Sequence, residues 1–175
     1  MRSGVGDGRS GWGGGSDERR ERQWFTRGER AVAAVWRRAT GDGGSTVVRE
    51  HDPSGRDVEL FRRHFYSSGK GLGVEGSKGA ELADGLTIQD GDYKLVKTRF
   101  SAFFATHLDS VLKTSGIKNS VIVGVQTPNC IRQTVFDAVA LDYDKVAVII
   151  DATAAAKPEI HLGKYTFHTS PTILL

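Results

Sequence analysis

Apolar positions cluster in the last two thirds of the chain, and there they follow regular periods. Asn119 to Val125 and Lys145 to Ile150 are β-branched runs with few polar interruptions, the pattern of strands covered on both faces. Tyr93 to Lys97 and Thr46 to Arg49 are further strand candidates. His107 to Thr114 sets Leu108, Val111 and Leu112 at helical spacing, with Gly116 as a stop. Cys130 to Tyr143 puts Val135, Phe136 and Val139 on one helical face, and Pro158 suits a helix start. Strands of this kind alternating with helices predict an α/β fold, a three-layer α/β/α sandwich around a parallel, Rossmann-like sheet. Ligands bind such sheets beyond the carboxyl ends of the strands. Lys97, Gln126 to Cys130 and Asp151 to Thr153 each follow a strand end, so one crevice is expected to gather them.

Upstream the pattern fades. Residues 1–22 are rich in Gly, Ser and Arg and read as disordered. Gln23 to Arg38 is read as a short helix with Trp24, Phe25, Val32, Val35 and Trp36 as its apolar positions, and Gly41 to Gly44 as a linker. The chain thus divides into a Gly/Arg-rich segment, 1–45, and a domain, 46–175. Within the domain Asp52-Pro53-Ser54-Gly55 signals a turn. Asp57 to Tyr66 reads as a helical turn capped by Asp57 or as an ordered loop. Residues 67–92 read as a long surface excursion, which in a compact domain is usually functional or disordered.

Charge narrows the partners. The net charge of +3 arises in residues 1–45, which hold nine Arg, no Lys and six acidic residues. The domain itself is balanced, so the basic character says little about its ligands and nucleic-acid binding is not expected. One cysteine excludes an internal disulfide and a thiolate-rich zinc site, and makes a reducing, cytoplasmic setting the default. No apolar run reaches the roughly 18 residues of a membrane span, so no membrane partner is expected.

That cysteine, Cys130, stands where a strand gives way to a turn and then a helix. A thiol held near backbone N–H groups and a helix start is favoured as thiolate, the nucleophilic form. Lys97 is placed to stabilise negative charge there, while a carboxylate base is missing. On composition alone, a small buried core residue remains the commoner role of such a cysteine.

Three segments shift that balance. Gly124-Val125-Gln126-Thr127-Pro128-Asn129-Cys130-Ile131-Arg132-Gln133-Thr134, followed by Asp137-Ala138, resembles the nucleophile motif of the isochorismatase-like cysteine hydrolases. That family includes nicotinamidases and N-carbamoylsarcosine and ureidoacrylate hydrolases. Lys97-Thr98-Arg99-Phe100-Ser101-Ala102-Phe103 resembles its catalytic-lysine strand and turn, and Asp151-Ala152-Thr153-Ala154-Ala155 its segment after the next strand. The stretch from Val47 to His64 also resembles the plant nicotinamidase-like branch, so the likeness runs over about residues 46–161.

The resemblance implies that Cys130 attacks an amide carbonyl with Lys97 as its partner, and that the N–H groups of Gln126 and Cys130 bind the oxyanion. It implies a cis peptide at Val125–Gln126. Beside it, Arg99 and Arg132 are read as binding a substrate carboxylate or as structural ion pairs, and Phe100, Phe103 and Phe104 as walling the pocket or packing in the core. Arg99, Phe103 and Thr127 are taken as the substrate-side candidates. The resemblance also implies a small-molecule amide substrate, of nicotinamide or carbamoyl type, a homo-oligomer and no cofactor. Some members bind a metal after the second strand; Glu50, His51, Asp52 and His64 match that spacing loosely, and solvated loop residues are expected instead. Both termini depart from the family. No apolar run leads to the Asp that completes the triad, and the segment after His161 differs, so the first strand and last helix are expected to be missing. The resulting expectation is an amide hydrolase impaired by the lost carboxylate, or an inactive member that works by binding or assembly.

Overall fold

A computed structural model describes residues 34–37, 44–163 and 173–174. Two ladders carry the domain. In the first, β1 (Ala34–Arg37) pairs antiparallel with β2 (Gly44–Arg49), which pairs in parallel with β3 (Tyr93–Lys97). In the second, β4 (Asn119–Val125), β5 (Lys145–Ala154) and β6 (Ile173–Leu174) run parallel in that order. Strand β1 lies against β4, so β1 and β2 stand between β3 and β4.

Ser45, Thr46, Val47 and Val48 are all buried, because β2 has neighbours at both edges and cover on both faces. Helix α2 (Leu108–Thr114) buries Leu108 and Leu112, one turn apart, and Gly116, at φ 70°, lets the chain leave it. Helix α3 (Arg132–Ala140) buries Val135 and Ala138. These side chains meet Val47, Leu95, Ile122 and Val146 in the principal core cluster, which roofs one side of the sheet. Tyr143 packs on Phe103 with ring centroids 5.5 Å apart, and its hydroxyl donates to Asp109 at 3.2 Å.

The sequence reading needs correction at four places. The helix read over 23–38 fails at Ala34–Arg37, which is strand, while residues 23–33 and 38 lie outside the described residues, as do residues 1–22 and 41–43. Helix propensity is overridden there by pairing with β2 and contact with β4. The turn read at Asp151–Ala156 is displaced, since β5 runs on to Ala154. That extension comes with a bulge: Ile122 faces Val148, yet Gly124 faces Thr153, and Ile149 and Ile150 are pushed outward. Asp57 does not cap a helix, and a 3-10 turn (Leu60–Arg62) leads into α1 (Arg63–Ser67) instead. The helix read from Cys130 starts later, because Thr127–Ile131 forms a π-type turn ahead of α3.

Residues 67–92 form a largely exposed excursion pinned by a bridge between His51 and Val74 and a 3-10 turn at Lys78–Ala80. Helix α4 (Pro158–Leu162) starts with Pro158 in its first turn, where a missing N–H costs nothing.

Candidate active site

Strands β2 and β3 end together. Arg49 and Lys97 are register partners in that parallel pair, and both carry their charge to the carboxyl end of the sheet. Lys97 is 4 % exposed. Its ammonium donates to the carbonyls of Arg99 at 2.8 Å and Phe100 at 2.7 Å, so the chain after β3 wraps round it. Burial holds the Lys97 pKa below the usual lysine range; attraction to Cys130 opposes that shift and repulsion by Arg49 adds to it.

Cys130 sits half-buried in the π-type turn. Gly124, at φ 114°, and a cis Val125–Gln126 bond precede it; only glycine adopts that φ without strain. The carbonyl of Gln126 accepts from Asn129 N at 3.1 Å and Ile131 N at 3.2 Å, which curls the turn around the cysteine. Thr134 then locks the turn to the lysine loop. Its hydroxyl donates to the Cys130 carbonyl at 2.7 Å and accepts from Ala102 N at 3.1 Å.

The thiol lies beside a second cation that the sequence reading did not single out. Arg49 Nη1 approaches Cys130 Sγ at 3.8 Å. The same guanidinium donates from Nε to His51 Nε2 at 2.7 Å and from Nη2 to both Glu59 oxygens at 3.2 Å. Glu59 also accepts from Arg62 at 2.9 Å, and its pKa stays below the usual carboxylate range: burial would raise it, but backbone and Arg62 hydrogen bonds and the two Arg charges outweigh that. Phe100 lies beneath both arginines, 5.0 Å from Arg49 and 5.9 Å from Arg62. Among the described residues, no carboxylate makes a hydrogen bond or ion pair with Lys97 or Cys130, and Glu59 reaches them only through Arg49 and through space.

His51 is 1 % exposed, which overturns its reading as a solvated loop residue. Arginine only donates, so His51 Nε2 must accept and its proton belongs on Nδ1, which faces Asp57 Oδ2 at 3.4 Å. Burial, reinforced by the Arg49 charge, pushes His51 down to about 4. Glu50 pairs instead with Lys94 and Asp52 with Arg56. Glu50 and Asp52 are thus committed to cations, and among the described residues no three His, Cys, Asp or Glu side chains gather as metal ligands.

Neutral His51 predicts a pH dependence of folding. Between about pH 6.5 and 4 the unfolded chain binds a proton that the native chain refuses, so stability falls as pH falls through that window. The loss amounts to about 2–3 kcal/mol by pH 4.5. Urea midpoints at pH 7 and 4.5 check it: His51→Gln should flatten the pH slope, and an unchanged slope would assign the dependence to other groups.

The remaining expected site residues are spread out. Arg99 gives its carbonyl to Lys97, while its Nη1 is buried with no hydrogen-bond partner among the described residues. Thr127 is buried and its hydroxyl meets His161 Nδ1 at 2.9 Å, which ties the π-type turn to α4. Phe103 is a core residue against Tyr143, and Phe100 is the aromatic beneath Arg49. Thr153 lies within β5, where its hydroxyl donates to the Ile150 carbonyl at 3.0 Å.

Comparison with known proteins follows the same lines. Residues 18–166 match the family model described as the Isochorismatase domain. An Arabidopsis thaliana protein named "probable inactive nicotinamidase" is 64 % identical over 135 residues, which is 76 % of this chain and 64 % of that protein. The ureidoacrylate amidohydrolase RutB of Caulobacter vibrioides is 46 % identical over 79 residues, 45 % of this chain and 35 % of the relative. The chain therefore spans less than two thirds of the length of these relatives. A crystal structure of an isochorismatase family protein from Desulfovibrio vulgaris aligns with TM-score 0.65 and 44 % identity, covering 70 % of this chain and 64 % of that one.

Proposed function

The chain belongs to the isochorismatase family, and from that premise we propose that it hydrolyses the C–N bond of a small nicotinamide- or carbamoyl-type amide through Cys130, slowly. The observation that supports this reading most directly is that Cys130 Sγ, in the turn after β4, lies 3.8 Å from Arg49 Nη1, and Arg49 stands in register with the buried Lys97.

In the proposed cycle the thiolate sulfur adds to the amide carbonyl, and the N–H groups of Gln126 and Cys130 receive the oxyanion. Lys97 gives a proton to the departing nitrogen, for which its lowered pKa suits it. The C–N bond breaks and a thioester remains. Neutral Lys97 then takes a proton from water as the oxygen attacks, which restores the thiolate and the ammonium and releases the acid. One lysine does both proton transfers, since no carboxylate touches it among the described residues. A missing general base costs about 10²–10⁴-fold in rate, and this is why slow turnover is expected.

Ammonia release from nicotinamide and from N-carbamoyl amino acids, measured under multiple-turnover conditions, tests the reading. Slow release that depends on Cys130 supports it. No release at micromolar enzyme over many hours overturns it. A rate equal to that of a family member with a complete triad overturns the claim of impairment.

A second reading has a specific observation in its favour. The Arabidopsis relative carries "inactive" in its name, and Leu60 and Phe61, beside the site, are 78 % and 66 % exposed. On that reading the chain binds or assembles without turnover. It gains ground only where ammonia release fails and a stable oligomer is seen by light scattering.

A further inference from the structure

We propose that Arg49 is the electrostatic partner of the Cys130 sulfur, held in place for that purpose by Glu59 and His51; the proposal rests on Cys130 being the nucleophile.

The argument begins with how completely the guanidinium is fixed. An arginine offers five N–H donors in a rigid fork. Here Nε is taken by His51, Nη2 by Glu59, and one face by the Phe100 ring. Nη1 is left, and it is aimed at Sγ. A long side chain loses much rotamer freedom to be held so. Two anchors offset that cost: His51 lies two residues on, and Glu59 stands at the N-cap of the 3-10 turn.

Charge bookkeeping points the same way. Arg49, Arg62 and Lys97 bring three positive charges to this end of the sheet, and Glu59 is the carboxylate that pairs with two of them. Asp57 is turned to neutral His51, and Tyr66 lies edge-on to that ring at 5.6 Å. From α4, His161 meets the π-type turn at Thr127 rather than at the sulfur. Among these described side chains cations outnumber carboxylates, and negative charge on the sulfur offsets the difference. Among the described residues no carboxylate contacts the thiol, and Arg49 is the cation placed to meet negative charge on the sulfur. Glu59 and His51 are positioning residues, because they act on the sulfur through Arg49.

The chain as it exists supplies the test, and amide turnover is not needed for it. The rate of Cys130 alkylation by iodoacetamide is measured from pH 5 to 10 in the full chain, in Arg49→Gln, in Arg49→Lys and in the double variant Arg49→Gln/Glu59→Gln. The double variant removes cation and anion together, and so keeps the net charge if the single variant folds poorly. The expected result is at least a tenfold lower alkylation rate near pH 7 in Arg49→Gln and in the double variant, with Arg49→Lys nearer the full chain. Unchanged rates in both Gln variants overturn the role of Arg49, whatever the amide assay shows. Failed ammonia release beside slowed alkylation overturns the hydrolase reading and leaves the Arg49–Cys130 pairing standing.

Discussion

Cys130→Ala is expected to lower ammonia release by at least about 10³-fold, to the level of protein that lacks a nucleophile. The sulfur is the one protein atom that bonds covalently to the substrate in the proposed cycle, so nothing in the remaining site replaces it. Its loss should read as chemistry and not as unfolding. Cys130 is half-buried in a turn fixed by backbone and Thr134 bonds, and none of those bonds uses the thiol. Trimming one sulfur at such a place costs about 1 kcal/mol or less. Mass spectrometry under single turnover gives an independent readout: the full chain gains the acyl mass of its substrate and the alanine variant does not. Equal release by the two proteins would place the reaction elsewhere.

The parts of this fold that local period dictates were readable from the chain. Strands β3 and β4 have the bounds that alternating and β-branched runs suggest, and α2 follows its Leu108–Leu112 spacing. The family likewise could be recognised, because motifs around Lys97 and Cys130 are contiguous in sequence. What escaped was set by distant partners. Ala34–Arg37 has no strand period of its own and becomes strand by pairing with Gly44–Val47. The outward bulge at Ile149–Asp151 depends on the register of β5 against β4. At the site, Arg49 looked like the polar end of a short strand. A signal was present, since the last residue of β2 stands in register with Lys97, but the pairing of those strands had to be known first. His51 and Glu59 gain meaning only through Arg49. Phe103 and Phe100 could not be told apart for a related reason: aromatics in one loop cannot be sorted by sequence into core and site, whereas Tyr143 and Arg49 sort these two in space.

Lys97→Met is the companion experiment, expected to lower kcat/KM by about 10²–10⁴-fold with the fold retained. Two opposed terms keep stability nearly level. Removing a cation that is 4 % exposed relieves its desolvation, and the thioether fills a similar length. Against this, the carbonyls of Arg99 and Phe100 lose their donor, a loss of about 1–3 kcal/mol where no water replaces it. Catalysis has no such offset, because in the proposed cycle the same nitrogen both protonates the departing amine and accepts the proton of water. The loss should therefore fall on kcat more than on KM. Burial lowers the Lys97 pKa, so the basic limb of the wild-type pH profile should begin below the ordinary lysine range, and the residual activity of Lys97→Met should lack that limb. Lys97→Arg keeps the charge yet cannot give up its proton near neutrality, so it should fail to rescue turnover. A kcat/KM within threefold of wild type in Lys97→Met, at unchanged urea midpoint, would remove Lys97 from the proton transfers and leave it as a structural clamp on the loop after β3.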